Sequence, residues 1–106
     1  MAIVHISDET YAKEVLEAKG GVIVDFFATW CGPCKMLSPV LEQLAEKAAG
    51  QFKICKVDID QCPQTAQAQS IMVVPTLIFY KDGQIVSRSE GYMDEEEILE
   101  VAAEHF

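Results

Sequence analysis

The sequence predicts an α/β fold, a mixed five-stranded central sheet flanked by four helices. Three observations predict it. Strand-like and helix-like segments alternate through the first two thirds of the chain, which is the order of a parallel βαβ half. Val22–Phe27 (VIVDFF) is short, β-branched, aromatic and apolar on both faces, as a central strand covered on both sides must be. Near the C-terminal end two alternating runs are joined through Lys81-Asp82-Gly83-Gln84, an antiparallel hairpin signal. The chain of 106 residues is expected to be one domain, residues 1–106, large enough to bury a core without metals or disulfides.

Each element follows from its residues. Ile3–Ile6 is a short opening strand. Ser7, Asp8 and Glu9 supply a capping side chain and first-turn acids for a weakly amphipathic helix that carries Val15, Leu16 and Ala18 and stops at Gly20-Gly21. The VIVDFF strand comes next. A helix over Pro33–Ala48 follows, because Met36/Leu37, Val40/Leu41, Leu44/Ala45 and Ala48 recur about every four residues; Gly50 ends it. Pro39 inside it removes one hydrogen bond and is expected to kink it. Phe52–Ile59 (FKICKVDI) reads as a second buried strand. Asp60–Ser70 is a short helix opened by Pro63, whose fixed φ suits a first helical position. Thr76–Tyr80 and Ile85–Ser89 make the hairpin, and Asp94 with Glu97 forms a capping box for the last helix.

Composition narrows function. Seventeen acidic against eight basic side chains give a net charge of -9, which repels phosphate backbones and anionic membrane surfaces, so nucleic acid and membrane are excluded as expected partners. Met1–Ser7 lacks a basic start and a long apolar run, and the longest apolar stretch, Val73–Tyr80, is too short and broken to span a bilayer. A cytoplasmic location is expected, where thiols stay reduced and four cysteines point to metal or redox chemistry.

The decisive stretch is Ala28–Leu37, ATWCGPCKML. Cys31 falls where a strand has ended and the long helix begins. Unpaired N–H groups and the helix dipole there favour a thiolate, whereas a free cysteine is only a few per cent ionised at neutral pH. Pro33 presets the helical angle and Gly32 keeps bulk away from the sulfur. Cys34, three residues on, lies on the same helix face, so the two sulfurs can meet. A zinc site would need two more ligands; Cys55 and Cys62 lie in different elements, His5 and His105 near opposite termini, and no metal is expected. A permanent staple is needless in such a domain. A reversible dithiol remains.

The runs VDFFATWCGPCKMLSPVLEQLA, KVDIDQCPQTAQ and VVPTLIFYKDG, with the Gly91 segment, resemble the thioredoxin family across nearly the whole chain, in the same order and spacing. The resemblance implies a thioredoxin fold and a protein-disulfide reductase in which Cys31 attacks a client disulfide and Cys34 resolves the mixed disulfide. It implies disulfide-containing client proteins, a thioredoxin reductase as electron donor, no bound cofactor and a monomer. Two alternatives stay open, an oxidising or isomerising member of the fold and a scaffold subunit whose dithiol is incidental; reduction potential and a Cys31→Ser variant separate them.

Supporting residues divide between pattern and resemblance. Asp25 interrupts a run that should be buried on both faces, where an ionised carboxylate is costly unless paired; Lys56 in the other central strand is its candidate partner. Burial would raise its pKa and suit it to proton exchange with Cys34, the role the resemblance implies. The resemblance also implies a cis Val74–Pro75 bond beside the cysteines, Val74 backbone groups that pair with a client, and Gly91 on the client surface. Trp30 is expected to be exposed beside Cys31. Phe27 stands where many thioredoxins have tryptophan, and Met72 and Val73 replace polar or glycine residues, which makes the client groove more apolar. Cys55 reads as a small core residue. Cys62 beside Pro63 at a helix start is read as a thiol whose pKa could be lowered.

Overall fold

The computed structural model describes residues 3–48 and 50–106; Ala49 lies outside the described residues, as do Met1 and Ala2, the first two positions of the start read above as lacking a signal. Its strands are β1 (Val4–His5), β2 (Gly21–Phe27), β3 (Lys53–Asp58), β4 (Thr76–Lys81) and β5 (Gln84–Glu90). They form one sheet in the order β1-β3-β2-β4-β5. β1 and β2 each pair parallel with β3, while β2–β4 and β4–β5 are antiparallel. Helical segments are α1 (Ala12–Leu16), α2 (Gly32–Ala48), α3 (Pro63–Ala68) and α4 (Glu95–His105).

The sheet is covered on both faces. Strand alternation sends Ile23 and Ile54 toward α2 and α4, where they meet Leu37, Leu41, Leu44 and Ile98. It sends Val22, Val24 and Phe26 to the opposite face, against Tyr11, Val15 and Cys62. In α2 the buried residues Cys34, Leu37, Leu41, Leu44, Ala45 and Ala48 make one stripe at three- and four-residue spacing. Each buried leucine contributes about 1.5–3 kcal/mol over exposure. That stripe locks α2 onto the sheet and thereby fixes where its first turn lies.

The strands β1 and β3 are trimmed by one residue at each end from the predicted Ile3–Ile6 and Phe52–Ile59, and two helices are shorter than their sequence suggests. α1 is a single wide turn in which the Glu17 N–H reaches back five residues to the Ala12 carbonyl at 2.9 Å. Ser7 does exchange hydrogen bonds with Thr10, but Asp8 does not serve α1: its carboxylate accepts the Thr65 N–H at 2.9 Å and the Thr65 hydroxyl at 2.6 Å. Asp8 therefore caps α3, which spans Pro63–Ala68 rather than Asp60–Ser70. At the other end of α3, Arg88 of β5 donates to the carbonyls of Gln69 and Ser70 at 2.6 and 2.8 Å. Ser70 takes a left-handed φ of 55° there and turns the chain toward Ile71–Pro75.

The hairpin between β4 and β5 turns on Asp82 and Gly83, with φ of 51° and 80°, both left-handed as a tight two-residue turn requires. A side chain on Gly83 would run into the Leu16 carbonyl. α4 carries the full capping box: the Asp94 carboxylate accepts the Glu97 N–H at 2.8 Å and the Glu97 carboxylate accepts the Asp94 N–H at 3.1 Å. Among the described residues no helix is long and apolar enough to cross a membrane.

Candidate active site

β2 ends at Phe27, and after four connecting residues the chain enters α2 at Gly32, so Cys31 stands just before the first helical residue. Cys31 and Cys34 are joined by a disulfide with their Cα atoms 5.3 Å apart. Spacing explains this. Residues three apart at the start of a helix face the same way, and the helix offers its free N–H groups there. The Cys34 N–H donates to Cys31 Sγ at 3.2 Å. Cys31 is 5% exposed and Cys34 3%, in a small apolar cluster with Ala28 that Phe27, Ile59 and Val74 flank. A Cβ on Gly32 would meet nothing within 4 Å, so that glycine leaves the approach to sulfur open and is not demanded by packing.

The loop opposite comes from the far end of α3. The Val74–Pro75 bond is cis, and the Val74 carbonyl oxygen lies 3.6 Å from Cys31 Sγ. The Pro75 carbonyl accepts the Gly91 N–H at 2.8 Å, which brings the Gly91 segment beside the same loop. Buried Thr76 donates its hydroxyl to the Val73 carbonyl at 2.7 Å. Trp30 is 68% exposed, and its indole N–H donates to Asp60 Oδ2 at 3.0 Å, which holds the ring in place. Trp30, Ile59, Ile71, Met72, Val73 and Val74 line an open cleft of about 260 Å³. Met72 is 83% exposed at its rim. Trp30, Val74, buried Pro75 and Gly91, far apart in sequence, are thus gathered around the loop that faces Cys31.

Asp25 is fully buried. It follows Ile23 by two residues and so shares the α2 face of β2, with Lys56 of β3 directly across in register. Lys56 Nζ lies 4.0 Å from Asp25 Oδ2, too long for a hydrogen bond, and neither Asp25 oxygen has a hydrogen-bond partner among the described residues. Nζ instead donates to Ser38 Oγ of α2 at 2.9 Å and sits 4.6 Å from the centre of the Phe27 ring. Burial pushes the Asp25 carboxyl up to about 7; the Lys56 ammonium only partly opposes it. A cavity of about 250 Å³ runs between Cys34 and Lys56, lined also by Phe27, Ala28, Lys35 and Ser38.

The remaining sulfurs are core atoms. Burial raises the Cys55 thiol to about 11. The expectation that Cys62 could have a lowered pKa is corrected: burial raises it first, and the carboxylates of Asp8, Asp58 and Glu9 raise it further. Cys62 is 1% exposed and donates its S–H to the Ile6 carbonyl at 3.3 Å. The helix it precedes is too short, and its end already too well capped by Asp8, to overcome that.

Sequence reasoning missed Ser38, Asp60 and Thr76. Each works through a contact with a residue in another element or turn, and none breaks a local pattern.

A family model described as thioredoxin matches residues 2–104. Proteins named thioredoxin from Staphylococcus aureus strains Mu50, MW2 and N315 are each 46% identical to this chain over 105 residues, which is 99% of this chain and 99% of theirs.

Proposed function

Since the chain belongs to the thioredoxin family and is a protein-disulfide reductase, a thiol–disulfide oxidoreductase, we propose that Cys31 is its attacking thiolate and Cys34 its resolving thiol. The observation that carries this division is the Cys34 N–H aimed at Cys31 Sγ at 3.2 Å. A donor aimed at that sulfur favours its anionic form. Among the described residues Cys34 Sγ has no such donor, and it lies deeper on the helix stripe.

In the reduced protein the Cys31 thiolate attacks one sulfur of a client disulfide. A Cys31–client disulfide forms, and the other client sulfur leaves as a thiolate that takes a proton from water. Cys34 then gives its proton to the Asp25 carboxylate and attacks Cys31 Sγ. The Cys31–Cys34 bond closes and the second client sulfur leaves. A pKa near 7 lets Asp25 accept that proton at neutral pH and release it afterwards. Lys56 is its charge partner. Trp30, Val74 and Gly91 form the client-facing surface, with Gly32, Pro33 and cis Pro75 shaping the approach. Two electrons and two protons from a thioredoxin reductase reopen the disulfide. We further propose that the chain acts as one monomeric domain in the cytoplasm, a location that its bacterial relatives support.

Cys34→Ser tests the assignment. The variant should accumulate client proteins as mixed disulfides on Cys31, visible as adducts on non-reducing gels and mapped to Cys31 by mass spectrometry. Absence of adducts, or adducts on Cys55 or Cys62 but not on Cys31, would overturn it.

A further inference from the structure

We propose that Ser38 is a positioning residue that holds the Lys56 ammonium back from Asp25. The geometry carries this. Among the described residues Nζ has one hydrogen-bond partner, the Ser38 hydroxyl at 2.9 Å, and it stops 4.0 Å short of Asp25 Oδ2. Asp25 is left with both oxygens unpartnered in a fully buried position. An ammonium free to move would be drawn toward such an oxygen whenever the carboxyl is ionised, since opposite charges attract strongly in a buried setting. What opposes the motion is the anchor on α2 together with the Phe27 ring on which the ammonium rests.

Placement adds a second point. Lys56 and Ser38 line two openings at once: the cavity that reaches Cys34, and an outer cleft of about 410 Å³ lined by His5, Glu42 and Glu46. The charged or titratable groups facing Lys56 are Asp25 of β2, Cys34, Lys35, Glu42 and Glu46 of α2, and His5 of β1. Glu42 and Glu46 share the outer cleft with the ammonium. Ser38 therefore keeps Asp25 a group that protonates near neutrality. Without it Lys56 closes the gap and Asp25 is held ionised to lower pH. This rests on the reading of Asp25 as the proton acceptor for Cys34, and the two are separable by measurement.

Ser38→Ala removes the anchor on a helix that alanine favours, so the fold is retained. The test follows the Asp25 side-chain carboxyl by ¹³C NMR against pH in the oxidised protein, with the resonance identified by its absence in Asp25→Asn. The titration midpoint should fall by about one pH unit or more in Ser38→Ala, as an approaching ammonium requires. Ser38→Thr, which keeps the hydroxyl, should leave it in place. An unmoved or raised midpoint in Ser38→Ala overturns the proposal. In parallel, a preformed Cys31 mixed disulfide with thionitrobenzoate reports the rate of resolution by Cys34, and its pH limb should move down with the midpoint. A midpoint that moves while the limb stays upholds Ser38 as the positioning residue and refutes the proton role of Asp25.

Discussion

Asp25→Asn should stabilise the oxidised protein, and only above a definite pH. The unfolded carboxyl titrates near 3.8 and the folded one at about 7, because burial disfavours its charged form. Between those values the folded state holds a proton that the unfolded state has lost. Stability therefore falls as pH rises through this window, is fully present below about 3.8 and is lost above about 7. Three pH units at 1.36 kcal/mol each make the ionised aspartate cost roughly 4 kcal/mol at alkaline pH. Asparagine has the same shape and no charge to bury. Urea unfolding of the two oxidised proteins, followed by far-UV circular dichroism from pH 5 to 8.5, should give a stability difference that shifts in favour of the variant by roughly 3 kcal/mol between pH 5 and pH 8.5. Parallel curves with no pH-dependent gap would refute the account, because a buried carboxylate without a hydrogen bond must show this cost.

Other consequences follow from packing. Gly83→Ala forces a side chain into a left-handed turn and against the Leu16 carbonyl, and should cost about 2 kcal/mol or more in urea unfolding, whereas Gly32→Ala, with open space around it, should leave stability within about 0.5 kcal/mol. Cys55 and Cys62 are buried with raised pKa values, so the native oxidised protein should take up no iodoacetamide label by mass spectrometry, and the unfolded oxidised protein should be labelled at both. Label on native Cys62 would contradict its placement beneath Ile6.

What the sequence discloses is what local rules encode. The α2 stripe, the Asp82-Gly83 turn and the Asp94–Glu97 capping box all depend on residues within one or two turns of each other, so their patterns survive reading in one dimension. The Cys31–Cys34 pairing is legible for the same reason. Asp25 stands out as a charge in an apolar run, but its lack of a hydrogen bond does not, since that depends on Lys56 turning to Ser38 across two elements. α1 reads as too long because Asp8 looks like a local cap and serves α3 instead. Cys62 misleads through its neighbour Pro63: a helix start suggests an electropositive setting, yet three carboxylates and burial decide otherwise. The cis bond at Pro75 comes from resemblance, as nothing in the residue order distinguishes the isomers.

The clamp on α3 has a mechanical consequence. A six-residue helix has too few internal bonds to hold its own orientation, so its aim is borrowed from Asp8 before β2 and from Arg88 out on the far edge strand. It is α3 that is held between two piers, and the Met72–Val74 rim follows directly from its anchored end. Shifting either pier would tilt the rim that we propose meets incoming polypeptide, and because the Val74 carbonyl lies 3.6 Å from Cys31 Sγ, the shift would reach the dithiol as well.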